Sequence, residues 1–293
     1  MISSFFKDIK PGRQFVGLLL MLVVGLIVSS GILLLSGISG HEAEHTTAAI
    51  LLQGFSQIIM FMIPATLFAI FFYGNPANYL CIGKNKLTSG SWLRALCAIG
   101  IMLLCVPFAD LLSQWNDAWH LPSRFASVEN AIRHTGDMSK KLVETFLSQT
   151  DALSLALNLL IIAAVPACCE ELFFRGCIQQ VLHRWLRNPH WAIILTALVF
   201  SLMHGELFAL IPRFFMGVVL GYLFYSSGAL VVSIAAHFAN NATTVILYYL
   251  YNTGHLAWHP ENLPSLPLWA IMLTLAGATI MFCYTIPRKE NTR

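Results

Sequence analysis

The sequence predicts an all-α fold, a polytopic helical membrane protein with about eight transmembrane helices. Three observations carry this. Apolar residues fill 57% of the 293 positions and charged residues only 11%, against about 45–50% and about 25% in a soluble globular domain. The apolar residues fall in long blocks, not in an even scatter. A span takes about 20 apolar residues, and eight blocks reach or approach that length. A soluble enzyme and a disordered chain are thereby excluded. Net charge is +3 with 17 Lys and Arg, too little for a surface that holds a polyanion, so no nucleic-acid partner is expected.

The blocks are Phe15–Ile38, Thr47–Tyr73, Trp92–Trp115, Leu153–Leu182, Trp191–His204, Phe208–Ser226, Ala229–Leu250 and Leu266–Ile286. The first follows Lys7, Lys10 and Arg13, as a signal peptide would, but it is long for one and lacks an A-x-A-like site. It reads as an uncleaved anchor. Residues 1–293 read as a single integral membrane domain with the lipid bilayer as its solvent. Trp92, Trp115, Trp191 and Trp269 near block ends read as interface anchors.

Lys and Arg set orientation. With the N-terminus inside, inner segments hold Lys7, Lys10, Arg13, Lys84, Lys86, Arg184, Arg187, Arg288, Lys289 and Arg293. Outer segments hold Arg124, Arg133, Lys140 and Lys141. Ten against four predicts both termini in the cytoplasm, in a cytoplasmic membrane. Residues 116–150 carry eight charges, with Val128, Ile132, Leu142, Val143, Phe146 and Leu147 at roughly helical spacing. They predict an amphipathic outer segment lying on the membrane, broken at Gly136–Asp137. Asp151 is placed to cap the fourth span. The seven cysteines lie mostly within apolar runs and none forms a CxxC pair, so they read as packing residues.

The fifth span runs only 14 residues before His204-Gly205-Glu206 interrupts it. Backbone that leaves a helix at that depth must be buried in protein or line a wet cavity. Intramembrane ionisable residues are expensive and mark functional sites. They are Glu170, Glu171, Arg175, His204 and His237, with Asp110 and Glu206 nearer the outer end. Glu171 and Arg175 are four apart and share a helix face, as do His237 and Asn241. Glu170 is turned about 100° away from Glu171. At about 1.5 Å per residue, Glu170, His204, His237 and Asn241 lie about 21, 20, 12 and 18 Å from the inner ends of their helices. Three helices thus set a carboxylate, two imidazoles and an amide at similar depth. A carboxylate beside an imidazole activates water as a general base, while a second imidazole and an amide stabilise an oxyanion. The same Glu170, His204 and His237 form a zinc-ligand set. The residue types leave both chemistries open.

Glu170-Glu171-x-x-x-Arg175, Phe200-x-x-x-His204 and His237-x-x-x-Asn241 resemble the three motifs of the CAAX-protease and bacteriocin-processing (CPBP, or Abi) intramembrane proteases, which include the type II CAAX prenyl endopeptidases. The likeness covers about 159–245, with Phe173-Phe174-Arg175-Gly176 and Gly217-x-x-x-Gly221-Tyr222 as flanks. The resemblance implies eight helices around a conical, membrane-embedded catalytic cavity open to the cytoplasm, with a catalytic core at about 151–250. It implies that Glu170 and His204 position the attacking water, that His237 and Asn241 form the oxyanion hole, and that Arg175 pairs with Glu171. The implied substrate is a membrane-anchored protein or peptide, of prenylated CAAX type or not. The implied cofactor is none, or Zn2+ on Glu170, His204 and His237. Some members of such families are scaffolds or bacteriocin-immunity proteins, which is the rival reading. A proton-coupled transporter is a further rival, opposed by the lack of an inverted repeat.

Two further motifs carry less. His41-Glu42-Ala43-Glu44-His45 matches H-E-x-x-H but falls between the first two spans, and Gly37-Ile38-Ser39-Gly40 ends the first. Both read as chance matches. Gly217-x-x-x-Gly221 reads as a close-packing motif within the molecule, and Arg213 as a side chain that snorkels outward in preference to one that meets a substrate carboxylate.

Overall fold

The computed structural model describes residues 6, 9–36, 47–82 and 89–286, and all regular structure among them is helical. Both chance motifs, at 37–40 and 41–45, lie outside these residues. The helices are α1 (Pro11–Leu35), α2 (Thr47–Gln57), α3 (Ile63–Tyr73), the single turn α4 (Pro76–Tyr79), α5 (Ser89–Asp117), α6 (Ala126–Leu147), α7 (Ala152–Asn158), α8 (Val165–Phe173), α9 (Gln180–Leu186), α10 (Pro189–Met203), α11 (Leu210–Ser227), α12 (Leu230–Asn252) and α13 (Leu268–Thr285). Among the described residues seven rods are long and apolar enough to cross a membrane, and α10 is apolar but shorter. The chain is an integral membrane protein.

Two rods are interrupted by wide π-type turns, at Ile58–Met62 before α3 and Leu159–Ala164 before α8. Each runs into a proline, Pro64 and Pro166. Proline lacks an N–H and crowds the carbonyl four residues back. Widening the preceding turn keeps the rod continuous where a kink would otherwise form. A third π-type turn, Phe174–Gln179, holds Arg175 and joins α8 to α9.

Polar ties fix which helix ends lie together. Tyr73 donates to Gln14 Oε1 at 2.8 Å, Arg184 donates to Tyr79 Oη at 3.0 Å, and Leu230 N–H reaches Cys81 O at 3.3 Å. Ser226 and Thr285 hydroxyls lie 2.9 Å apart. The starts of α1, α10 and α12 and the ends of α3, α9, α11 and α13 therefore form one end of the bundle, termed the terminal end. At the distal end, Asn116 donates to Leu207 O at 3.2 Å and accepts from Ile211 N–H at 2.8 Å, so one amide ties α5 to the α10–α11 turn. Asn158 and Asn252 donate to Phe146 O and Leu147 O at 2.9 Å each, seating α6 on α7 and α12.

Residues 126–147 are one continuous amphipathic helix, and the expected break at Gly136–Asp137 is absent. A glycine inside a helix costs only about 1 kcal/mol, and the anchoring of Phe146 and Leu147 in the bundle outweighs that. Asp151 caps α7, its carboxylate accepting from Ser154 N–H at 3.0 Å. Glu129 pins the other end of α6. It accepts from Leu121 N–H at 2.7 Å, from His120 at 2.9 Å and from Arg133 at 3.0 Å. These donors, the Leu121 amide foremost, hold its carboxyl down at about 2.

Helices α10 and α11 pack at glycine distance. A Cβ on Gly221 would stand 2.8 Å from Ile193 Cγ2, and one on Gly217 3.0 Å from Ala197 Cβ. The small-residue motif acts within the molecule, as its spacing suggests.

Two outcomes are expected. Gly221→Ala should lower the thermal midpoint in detergent. Overpacking costs about 1–3 kcal/mol, more than the helix propensity that alanine gains, and a raised midpoint would show that the two helices yield freely. Glu129 has a depressed folded-state pKa, so its contribution is present above the ordinary glutamate value and is lost as pH falls through about 2. Hydrogen exchange at Leu121 should therefore accelerate across that acid window, and Glu129→Gln should exchange faster at pH 6. Identical exchange in both proteins would sink this assignment.

Candidate active site

The interior charge is built on one rod. Glu171 and Arg175 are both fully buried, and Arg175 Nη1 donates to Glu171 Oε1 at 2.6 Å. Removing two ions from water costs several kcal/mol each, so such a pair persists only with further hydrogen bonds. They are present. Arg175 Nη2 donates to Gly217 O at 2.9 Å on α11, and His237 Nδ1 donates to Glu171 Oε1 at 3.0 Å from α12. One turn along, Gln179 donates to Gly221 O at 3.0 Å. Two polar side chains four apart thus reach two glycine carbonyls four apart. The missing Cβ atoms are what let the rods approach so closely.

The Glu171 contact fixes the His237 ring. With its Nδ1 proton on Glu171, Nε2 turns towards Glu170, whose Oε2 lies 3.8 Å away. Glu170 therefore does have a partner, across helices and not along its own. His204 caps α10, and its Nδ1 donates to Phe200 O at 2.9 Å. In a neutral ring both histidines then present Nε2 as a lone pair. Asn241 lies one turn beyond His237 on α12, and its Oδ1 accepts from Asn240 at 3.3 Å, which leaves its NH2 group free to donate.

His204, His237 and Asn241 line one cavity of about 410 Å³. Its other walls include Met102, Asp110 and Ser113 from α5, Arg213 and Met216 from α11, and Leu263 from the α12–α13 loop. Six sequence-predicted residues thus sit together. Glu171 and Arg175 form the buried base, Glu170 and His237 stand above it, and His204 and Asn241 face the cavity. Phe200 holds a position that sequence reasoning left without a role. The Arg175 guanidinium lies 4.9 Å from its ring, and the rings of His204, His237 and Phe174 pack edge-on against it. The signal was its i,i+4 spacing from His204.

Arg213 does not snorkel outward. It donates to Glu206 Oε2 at 2.6 Å and lines the cavity. Gly205 at φ +70° turns the chain after α10 and brings Glu206 back over the start of α11. Asp110, which accepts from Gln114 at 2.9 Å, is on the same wall.

The zinc-ligand set fits this geometry poorly. Among the described residues, three ligand atoms all within 4.8 Å of one another are offered by Glu144, His259 and Glu261 on the distal surface, and not by Glu170, His204 and His237.

Residues 152–243 match the family model described as Rce1-like, type II CAAX prenyl endopeptidase Rce1-like. That stretch runs from α7 into α12 and contains all six residues above. YyaK of Bacillus subtilis (strain 168), described as uncharacterized, is 27% identical over 132 residues, covering 40% of this chain and 42% of that protein. The chain therefore spans less than half the length of this relative. No solved structure matches. Residues 152–243 are thus similar to an Rce1-like domain.

Arg175→Met should leave Glu171 buried and unpaired and destabilise the protein by about 3–5 kcal/mol. The double variant Glu171→Gln/Arg175→Met should recover part of that loss. Thermal unfolding in detergent reads both, and a single variant as stable as wild type would show that the pair does not hold the three rods.

Proposed function

We propose that this Rce1-like membrane protein is an intramembrane endopeptidase that hydrolyses a peptide bond of a membrane-anchored substrate. One observation carries the reading. His204, His237 and Asn241 line a cavity of about 410 Å³ within the bundle, and the Glu170 carboxylate lies 3.8 Å from the Nε2 of His237.

Glu170 is the general base. Water between Glu170 and the His204 Nε2 lone pair gives its proton to Glu170 while its oxygen bonds to the scissile carbonyl carbon. The carbonyl oxygen becomes an oxyanion, which accepts from the Asn241 amide and from His237 Nε2. For that donation the His237 ring carries a proton on each nitrogen, held between the Glu170 and Glu171 carboxylates. Collapse breaks the C–N bond, and the proton on Glu170 passes to the departing amine. Base and oxyanion donors of this kind supply about 10²–10⁴ and about 10²–10³ in rate. Arg175 acts at one remove, keeping Glu171 ionised and the His237 ring aimed. Because Glu170, His204 and His237 do not close as a ligand set, no step is routed through zinc.

The rival is a non-catalytic scaffold or immunity protein of the same fold. It leaves the close approach of Glu170 to His237 unused. A proton-coupled transporter would need a continuous polar path through the bundle, and the cavity shares no lining residue with the small terminal-end hollow at Gln179.

Purified protein should cleave at least one member of a fluorogenic panel containing a prenylated CAAX peptide and unmodified membrane-anchored peptides. Glu170→Gln should lower the rate at least about 10²-fold with an unchanged thermal midpoint, and chelation followed by dialysis should leave wild type active. Loss on chelation with recovery on added zinc would replace the water mechanism by a metal one. Equal rates in wild type and Glu170→Gln would remove Glu170 from the chemistry.

A further inference from the structure

The family resemblance implies a cavity open to the cytoplasm, while the charge pattern places both termini there. These expectations conflict in this fold. The cavity lies on the side of the bundle away from the termini. Its lining reaches from mid-helix residues such as Met102, Leu220 and His237 into the distal halves of α5, α11 and α12, at Asp110 and Ser113, at Pro212 and Arg213, and at Thr244. Ala209 and Leu263, from the distal connections, complete the mouth.

Among the described residues, buried side chains such as Phe174, Cys177, Ile178 and Val181 fill the terminal side of the site. Beneath the cavity lie the fully buried Glu171–Arg175 pair and the two glycine-carbonyl bonds, with α10 and α11 in contact at Gly217 and Gly221. A terminal-end dimple of about 40 Å³ at Gln179, His183 and Tyr225 shares no lining residue with the cavity.

Orientation follows from charge. In sequence, the segments that join or extend the helices at the terminal end hold the ten Lys and Arg residues counted above, and the distal segments hold four. Of those four, Arg133 is spent in ion pairs with Glu129 and Asp117. Lys and Arg close to the spans are retained on the cytoplasmic side.

We propose that the cavity opens to the extracytoplasmic face and takes the outward-exposed stretch of a membrane-anchored or exported peptide. The substrate half of this statement rests on the protease reading, and the direction of access does not. A prenylated tail held at the cytoplasmic leaflet would meet the closed end, so an unmodified peptide is the substrate class.

The test separates the two halves. The full chain is expressed in the cytoplasmic membrane of intact bacterial cells with Ser265→Cys or Asn262→Cys in the exposed distal loop, or His190→Cys at the exposed terminal end. A membrane-impermeant maleimide is added, and labelling is read at each site by peptide mass spectrometry, so native cysteines do not interfere. Both loop variants should label in intact cells, and His190→Cys only after the cells are opened. The reverse pattern, or equal labelling of both ends in intact cells, overturns the proposal. A soluble fluorogenic peptide is then given to right-side-out and inside-out vesicles. Cleavage in right-side-out vesicles supports the proposal, and cleavage confined to inside-out vesicles overturns it. The expected labelling with no cleavage in either orientation would sink the protease reading while the direction of access stands.

Discussion

The structure depends on keeping one ion pair dry. Glu171 and Arg175 are fully buried at the middle of the α8–α9 rod, where an unpaired charge would cost several kcal/mol. Two further hydrogen bonds recruit other rods, since Arg175 also donates to the Gly217 carbonyl and Glu171 also takes the His237 Nδ1 proton. The pair thereby prescribes how closely α11 must approach and how α12 must rotate. Glycine at 217 and 221 follows from the first demand, because any Cβ there would press on Ala197 or Ile193. The orientation of the His237 ring follows from the second.

That closeness makes the bundle asymmetric. Beside the pair, α10 and α11 close to contact distance at Gly217 and Gly221. On the distal side α10 ends at Met203, and the chain turns through Gly205 at φ +70°. The space a longer helix would have filled becomes cavity wall. Glu206 and Arg213 pair across it, and Asn116 satisfies both a carbonyl and an amide of the turn. Non-helical backbone at this depth is tolerated because protein groups, and not lipid, meet its polar atoms.

How much of this was readable in the sequence depended on range. Features set within one or two helical turns were legible. These include the apolar rods, the i,i+4 pairing of Glu171 with Arg175, the Asp151 cap, and the interruption at His204. Features set by contacts across the chain were not. Gly136 is a helix breaker by propensity, but the tertiary anchoring of Phe146 and Leu147 decides the matter. Arg213 looked free to reach water because nothing near it in sequence reveals that Gly205 folds Glu206 back onto it. The two-ended bond of Asn116 joins residues more than ninety positions apart and leaves no periodic trace. The direction of the cavity is of the same kind, since it depends on which half of each rod is packed shut.

The two adjacent glutamates show why the site takes this form. They have the same side chain, but about 100° of helix rotation separates them, and that rotation assigns their environments. Glu171 turns into the protein, where Arg175 and His237 saturate one of its oxygens and no water reaches it. Such a carboxylate is ill placed to take a proton from water, because losing its charge would strand the guanidinium. Glu170 lacks that obligation. It meets only the far nitrogen of a ring that Glu171 already holds, so it can accept and return a proton without breaking the clamp. A fixed charge and a working base can thus stand side by side, provided the helix sends one into the packing and the other towards the His237 ring that lines the cavity.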